Sequence, residues 1–222
     1  MSRPNETPMN ERSGVRGFVV ALAVLAVSGL TSLAGNFVIA LGFPDRPYPE
    51  DLVLRAVPAS TWAAYVTEVA IISSLVLIFA YAMVRARGEF ADMVAIFGVM
   101  YVLRSAIMVL TPLARAYRGD NFGAIPLEQL GMFPSGHVAA SLLCFLLIDR
   151  ERAPGMRRAA LVLLLVQSTA LLVAHGHYSI DIVGGLLLGY FVWREWYSGA
   201  LFDPLKRLMS DPRLTAAGEQ AA

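Results

Sequence analysis

All three histidines of the chain fall in two short stretches, Pro134-Ser135-Gly136-His137 and His175-Gly176-His177-Tyr178-Ser179-Ile180-Asp181. Each stretch opens an apolar run. Histidine and aspartate are costly inside a bilayer, so ionisable groups placed there point to function. His177 and Asp181 are four residues apart, which puts them on one face at the start of a helix. A carboxylate bonded to one imidazole nitrogen fixes the tautomer and leaves the other nitrogen free as a nucleophile. Attack on phosphorus then gives a phosphohistidine and splits one displacement into two easier ones. A second, protonated imidazole must neutralise the departing alkoxide, help worth roughly 10²–10⁴ in rate. His137 is the candidate for that task besides His175. Ser135 and Gly136 make a tight entry into a helix whose free N–H groups suit phosphate oxygens. Two histidines and one aspartate, with no cysteine or second carboxylate nearby, fit phosphoryl chemistry better than a metal cage. No metal and no cofactor are expected.

A lone membrane histidine is usually a packing residue, but confinement to two helix-start motifs argues for chemistry at His137 and His177. His175 is as readily structural, or a modulator of the site, as a participant. Two further charges lie inside apolar runs, Glu68 and Arg104. They form a mutual ion pair that lets both be buried, or Arg104 reaches the phosphate while Glu68 helps to position the site. The two roles are compatible. Gly184, Gly185 and Gly189 include a Gly-x-x-x-Gly spacing, which signals close helix packing.

The elements that must position these residues follow from composition. The chain has 222 residues, 57% apolar and 16% charged, whereas soluble domains carry about 25% charged residues. That length suffices for one helical membrane domain. A net charge of +1 gives no hint of nucleic acid, and a single cysteine, Cys144, excludes a disulfide framework. Six apolar runs approach the ~20 residues needed to cross ~30 Å of hydrocarbon. They cover 17–41, 59–84, 91–111, 136–149, 158–174 and 180–197. The fourth is short and spans only if His137 and Asp149 lie near the two interfaces. Pro134 and Pro154 bound it. Residues 42–58 and 112–134 are the longer loops. Ser32-Leu33-Ala34 has a loose likeness to a signal-peptidase site, but the first apolar run is longer than the ~7–15 residues of a signal core, so a retained helix is expected. The organisation is thus an N-terminal tail, 1–16, a six-helix all-α membrane domain, 17–197, and a C-terminal tail, 198–222.

Basic residues set the orientation. With the N-terminus inside, the inner side holds thirteen, Arg3, Arg12, Arg16, Arg85, Arg87, Arg150, Arg152, Arg157, Arg158, Arg194, Lys206, Arg207 and Arg213. The outer side holds four, Arg46, Arg55, Arg115 and Arg118. Both termini are therefore expected in the cytoplasm, and His137 and His177 at the outer face. A bacterial inner membrane with a periplasmic site is the expected setting.

These motifs resemble those of a known superfamily. Pro134-Ser135-Gly136-His137 is similar to the second signature of the type 2 phosphatidic acid phosphatase (PAP2) superfamily. Ala174-His175-Gly176-His177-Tyr178-Ser179-Ile180-Asp181 is similar to the third, in the form used by the sphingomyelin synthase branch. Phe43-Pro44-Asp45, Glu68 and Tyr101-x-x-Arg104-x-x-x-Met108 extend the resemblance over roughly residues 35–197. It implies a six-helix fold, an outward-facing site and a double displacement, with His177 as nucleophile, Asp181 as its partner and His137 as acid/base. Ser135, Gly136, Arg104, Glu68 and His175 are the expected substrate-binding residues.

Two departures shape the expected reaction. The Lys-x6-Arg-Pro and Ser-Arg cations of the lipid phosphatases are absent, and Ala170-Leu171 stands at the Ser-Arg position. A phosphate dianion would meet too little positive charge there, whereas a diester monoanion could manage with Arg104 and a helix N-terminus. This favours transfer of a phospho-head group from a phospholipid donor to a lipid alcohol, diacylglycerol or ceramide. Gly131-Met132-Phe133 replaces the aspartate that sphingomyelin synthases often carry before Ser-Gly-His, and Asp181-Ile182-Val183-Gly184-Gly185 is similar to inositol phosphorylceramide synthases, so a head group other than choline stays open. Hydrolysis by a lipid phosphatase or phospholipase C-like enzyme is the alternative. A transporter using its histidines for proton coupling is a third, but the internal repeats common in transporters are not seen.

Overall fold

The computed structural model describes residues 14–117 and 131–210. Those residues form a bundle of helices: α1 (Val15–Gly42), α2 (Leu52–Ala56), α3 (Thr61–Arg85), α4 (Phe90–Leu110), α5 (Gly136–Leu147), α6 (Pro154–Val173), α7 (Ser179–Ser198) and α8 (Asp203–Met209). A 3-10 turn, Arg87–Glu89, leads into α4. All six expected helices are present. Four segments are long and apolar enough to cross a membrane: α1, α3, the continuous run Arg87–Leu110, and α6. α7 has the length, at 20 residues, but Asp181, Arg194 and Glu195 interrupt its apolar character. α5 has only 12 residues, about 18 Å of helix.

The short α5 is the axis of the molecule. Val138, Ala139, Ala140, Leu143, Cys144 and Leu147 are all fully buried, as expected for a helix apolar on every side. It touches α3, α4, α6 and α7, while α1 packs along α4, and α3 along α6. The expected end at Asp149 is two residues too late. Ile148 already has an extended backbone, because Asp149 turns its carboxylate to accept the N–H groups of Glu151 and Arg152. Such a local side-chain bond competes with helical hydrogen bonding. At this end of α5 the Tyr81 hydroxyl accepts the Asp149 N–H at 3.2 Å, and Arg152 pairs with Glu89 at 2.6 Å.

The long apolar helices keep exposed faces that include Leu22, Leu33, Phe37, Val69, Val76, Phe79 and Leu165. Among lipid tails these faces lose nothing by being uncovered. Contact between helices must then come from shape. At the α5–α7 seam a side chain on Gly185 would begin 2.6 Å from the Ser135 carbonyl oxygen, and one on Gly189 would begin 2.9 Å from that of Ala139. The Gly-x-x-x-Gly pair therefore sets how near the two motif-bearing helices lie.

Two short helices were not foreseen. α2 lies in the loop 42–58, started by Asp51, whose Oδ1 accepts the N–H groups of Val53 and Leu54. α8 lies in the tail 198–222 and packs against α1, with Lys206 bonded to Asp203 and to the Trp196 carbonyl. The outer parts of both expected tails, 1–13 and 211–222, fall outside the described residues, as does the loop portion 118–130 that contains Arg118.

Candidate active site

The two histidine motifs meet where α5 and α7 begin. Ser135 is the N-cap of α5, its hydroxyl accepting the Val138 N–H at 3.4 Å. Its own N–H donates to the Asp181 carbonyl at 3.0 Å, joining the second motif to the third through backbone alone. With the Gly185 contact, this bond fixes the register of one helix start on the other.

Asp181 is the third residue of α7, and its side chain folds back over the helix start. Oδ2 takes the Nδ1 of His177 and the N–H of Tyr178, both at 3.0 Å. A carboxylate in the first turn also complements the positive end of the helix. Asp181 is fully buried and His177 is 3% exposed. Carboxylate as acceptor requires a proton on Nδ1, so Nε2 is left with its lone pair. The half-buried His137 presents its ring edgewise to His177, with centroids 6.2 Å apart and planes at 66°. One imidazole is thereby held with Nε2 free, and a second ring stands beside it.

Arg104 reaches this group from α4. It is 7% exposed. Nε donates to the Pro134 carbonyl at 3.0 Å and Nη2 to the Gly131 carbonyl at 2.8 Å. Nη1 points at the Met108 sulfur, a long 3.6 Å contact. The guanidinium thus clasps the segment that leads into Ser135-Gly136-His137 and lies within electrostatic reach of Asp181. Gly136 makes room for it: a side chain there would begin 2.9 Å from Nε. The mutual pair expected between Arg104 and Glu68 is not formed. Glu68 is half-buried on α3, while Arg104 spends its strong donors on backbone carbonyls.

His175 is set apart from the His137–His177 pair. It terminates α6 in the left-handed region, at φ 53°. The His175 N–H bonds the Leu172 carbonyl and the Gly176 N–H bonds the Leu171 carbonyl, the Schellman pattern. Its Nε2 lies 2.8 Å from the Val57 carbonyl in the first loop. The structure thus brings His137, His177, Asp181, Ser135, Gly136 and Arg104 together, and turns His175 outward to a loop.

Two residues at the site were missed. Asn36 on α1 accepts the Gly131 N–H at 3.2 Å, opposite the carbonyl held by Arg104. A lone amide in the first apolar run was the available signal. Asp51 reaches the first residue of α7, Oδ2 accepting the Ser179 N–H at 2.6 Å. In the sequence it is one acidic residue of the loop 42–58.

Residues 50–194, well over half the chain and including every residue of this cluster except Asn36, match the model of a family of PAP2-related lipid phosphotransferases. The chain belongs to that family, AtPDCT1/2, the phosphatidylcholine:diacylglycerol cholinephosphotransferases. It is therefore a lipid head-group phosphotransferase of the membrane. The PAP2 relationship expected from the motifs holds, and AtPDCT1/2 is the family within it. No curated protein matches the chain.

Proposed function

We propose that the chain moves phosphocholine from phosphatidylcholine to diacylglycerol through a phosphohistidine on His177. Family membership supplies donor, acceptor and head group, and so favours choline over the other head groups that the departures before Ser135 left open. The observation that carries the chemistry is the buried Asp181–His177 bond facing the His137 ring.

Nε2 of His177 attacks phosphorus, and the bond from phosphorus to the diacylglycerol oxygen breaks. Protonated His137 gives its proton to that oxygen, and the first diacylglycerol leaves. Neutral His137 then takes the hydroxyl proton of a second diacylglycerol, whose oxygen attacks phosphorus and frees His177. Asp181 stabilises the positive charge that His177 carries while Nε2 is bonded to phosphorus. The N-terminal end of α5 receives the non-bridging phosphate oxygens, and Arg104 holds the strap that aims it. A diester carries one negative charge, which a helix end and one buried cation can match.

The thirteen-to-four charge split supports both termini inside and the site at the outer leaflet, with α5 and α7 completing six crossings. Because α5 spans about 18 Å of a ~30 Å core, His137 would then sit roughly 10 Å below the outer boundary. That depth suits a diacylglycerol hydroxyl better than a free water-borne alcohol.

Purified protein in nanodiscs, given head-group-labelled phosphatidylcholine, should transfer label in proportion to added diacylglycerol. His177→Ala should abolish both transfer and acid-labile phosphoprotein. Release of inorganic phosphate from phosphatidic acid, indifferent to diacylglycerol, would replace this reading with a phosphatase.

A further inference from the structure

The segment 51–60 touches the third motif and the end of α6 before it at three successive points. Asp51 Oδ2 accepts the Ser179 N–H at 2.6 Å. The Val57 carbonyl lies 2.8 Å from His175 Nε2. The Ser60 N–H donates to the Val173 carbonyl at 2.9 Å. These bonds bracket His177, with two before it in sequence and one after. Their partners run in opposite order along the two segments, so the first loop lies antiparallel across the turn between α6 and α7. The Leu54 side chain of α2 packs with Tyr178 and Met132 beneath the same loop.

Asp51 is the best-engaged member. One carboxylate oxygen caps α2 and the other holds α7. Partial burial works against its charge, but the donors of Ser179, Leu54 and Val53 outweigh it and hold the carboxyl below the ordinary carboxylate range. Ser179 is the first helical residue of α7, so its N–H has no partner within the helix. A charge-assisted bond to that group fixes where the helix starts. Tyr178 and Asp181 are set from that start, and Asp181 in turn holds His177.

We propose that Asp51 is a positioning residue for the nucleophile. By pinning the first N–H of α7 it holds the Asp181–His177 pair at the distance and angle that attack beside His137 requires. Asp51 does not touch substrate. Its effect is on the turnover step and not on donor binding. Displacing a reacting group by about 1 Å costs on the order of a hundredfold in rate.

Two variants remove the same bond from opposite sides. Asp51→Asn keeps an oxygen for the α2 cap but sets an NH2 group against the Ser179 N–H. Ser179→Pro deletes that N–H at the first helical position, which proline tolerates; Tyr178 before it has the extended backbone that a following proline needs. In nanodiscs each should lower kcat by about tenfold to a hundredfold with an unchanged donor KM. The double variant should be no worse than the poorer single. Wild-type kcat in either folded variant, or losses that multiply in the double, would overturn the proposal. The kinetic arm rests on the transferase reading; a second arm does not. The chain has three histidines, so 15N-histidine spectra can follow the Nδ1–H of His177 in protein that catalyses nothing. Both variants should shift or broaden that signal. An unperturbed signal in both would refute the positioning role even if the wild type proved to run another reaction.

Discussion

The smallest scale at which the site makes sense is the single donor or acceptor atom. Asp181 Oδ2 decides the tautomer of His177, and a serine N–H decides where Asp181 sits. Arg104 works in the same way. Its Nε and Nη2 hold carbonyls three residues apart in the chain, Gly131 and Pro134, a span that a planar fork covers and a single ammonium cannot. Arg104→Lys should therefore cost about 2 kcal/mol of stability, the scale of a lost hydrogen bond from a charged group. Activity should fall by more than the stability loss explains, since the strap carries Ser135 and His137. Thermal unfolding in detergent, with transfer assays well below the melting range, would check this. Lysine at wild-type rate would mean that charge alone is needed. His175 shows the opposite balance. A left-handed backbone costs a non-glycine residue about 1 kcal/mol or more, and the two Schellman bonds with the ring contact to Val57 offset it.

At the scale of elements, the seam between α5 and α7 controls the distance between the imidazoles. Gly185→Ala should force the two helix starts apart, since its new carbon would begin 2.6 Å from the Ser135 oxygen. Overpacking of this kind costs about 1–3 kcal/mol, and phosphoenzyme formation should drop steeply because His137 and His177 ride on the separated helices. Gly155 in the first turn of α6 is the matched control. A side chain there meets nothing within 4 Å, so Gly155→Ala should leave activity unchanged and raise stability slightly. Equal behaviour of the two variants would show that the seam does not set the site. Phosphoenzyme trapping and thermal melts separate the outcomes.

For the whole molecule, the side of the membrane on which the cluster lies is the governing property. With Cys144 replaced by alanine, Glu50→Cys should react with an impermeant thiol reagent in intact cells. Arg150→Cys, at the far end of α5, should react only after permeabilisation. Both side chains are exposed, so access to the reagent depends on sidedness. The reverse pattern would place the site at the inner leaflet and remove the basis for an outer acceptor pool.

The amino-acid sequence alone determined the apolar runs, because a helix in lipid must satisfy its backbone internally and shows this as a long hydrophobic stretch. It also singled out His137, His177 and Asp181 as the expected site residues, since costly polar groups in such stretches stand out. The i, i+4 spacing of His177 and Asp181 was enough to foresee their bond, a contact local to one helix start. Contacts between distant segments were illegible. Glu68 and Arg104 are both charged and both lie inside apolar runs, yet Arg104 turns to the carbonyls of Gly131 and Pro134 instead. Nothing in pairwise charge predicts that choice, because a backbone carbonyl has no signature in the sequence. Asp51 was not singled out in the sequence at all, and its second oxygen finds Ser179 only when the first loop folds across the α6–α7 turn. The length of α5 was likewise misjudged by two residues, as Asp149 rewards a turn that hydropathy does not weigh. Periodicity and side-chain cost belong to single segments and can be read along the chain; the partners of buried hydrogen-bonding groups depend on which backbone arrives beside them, and only tertiary structure decides that.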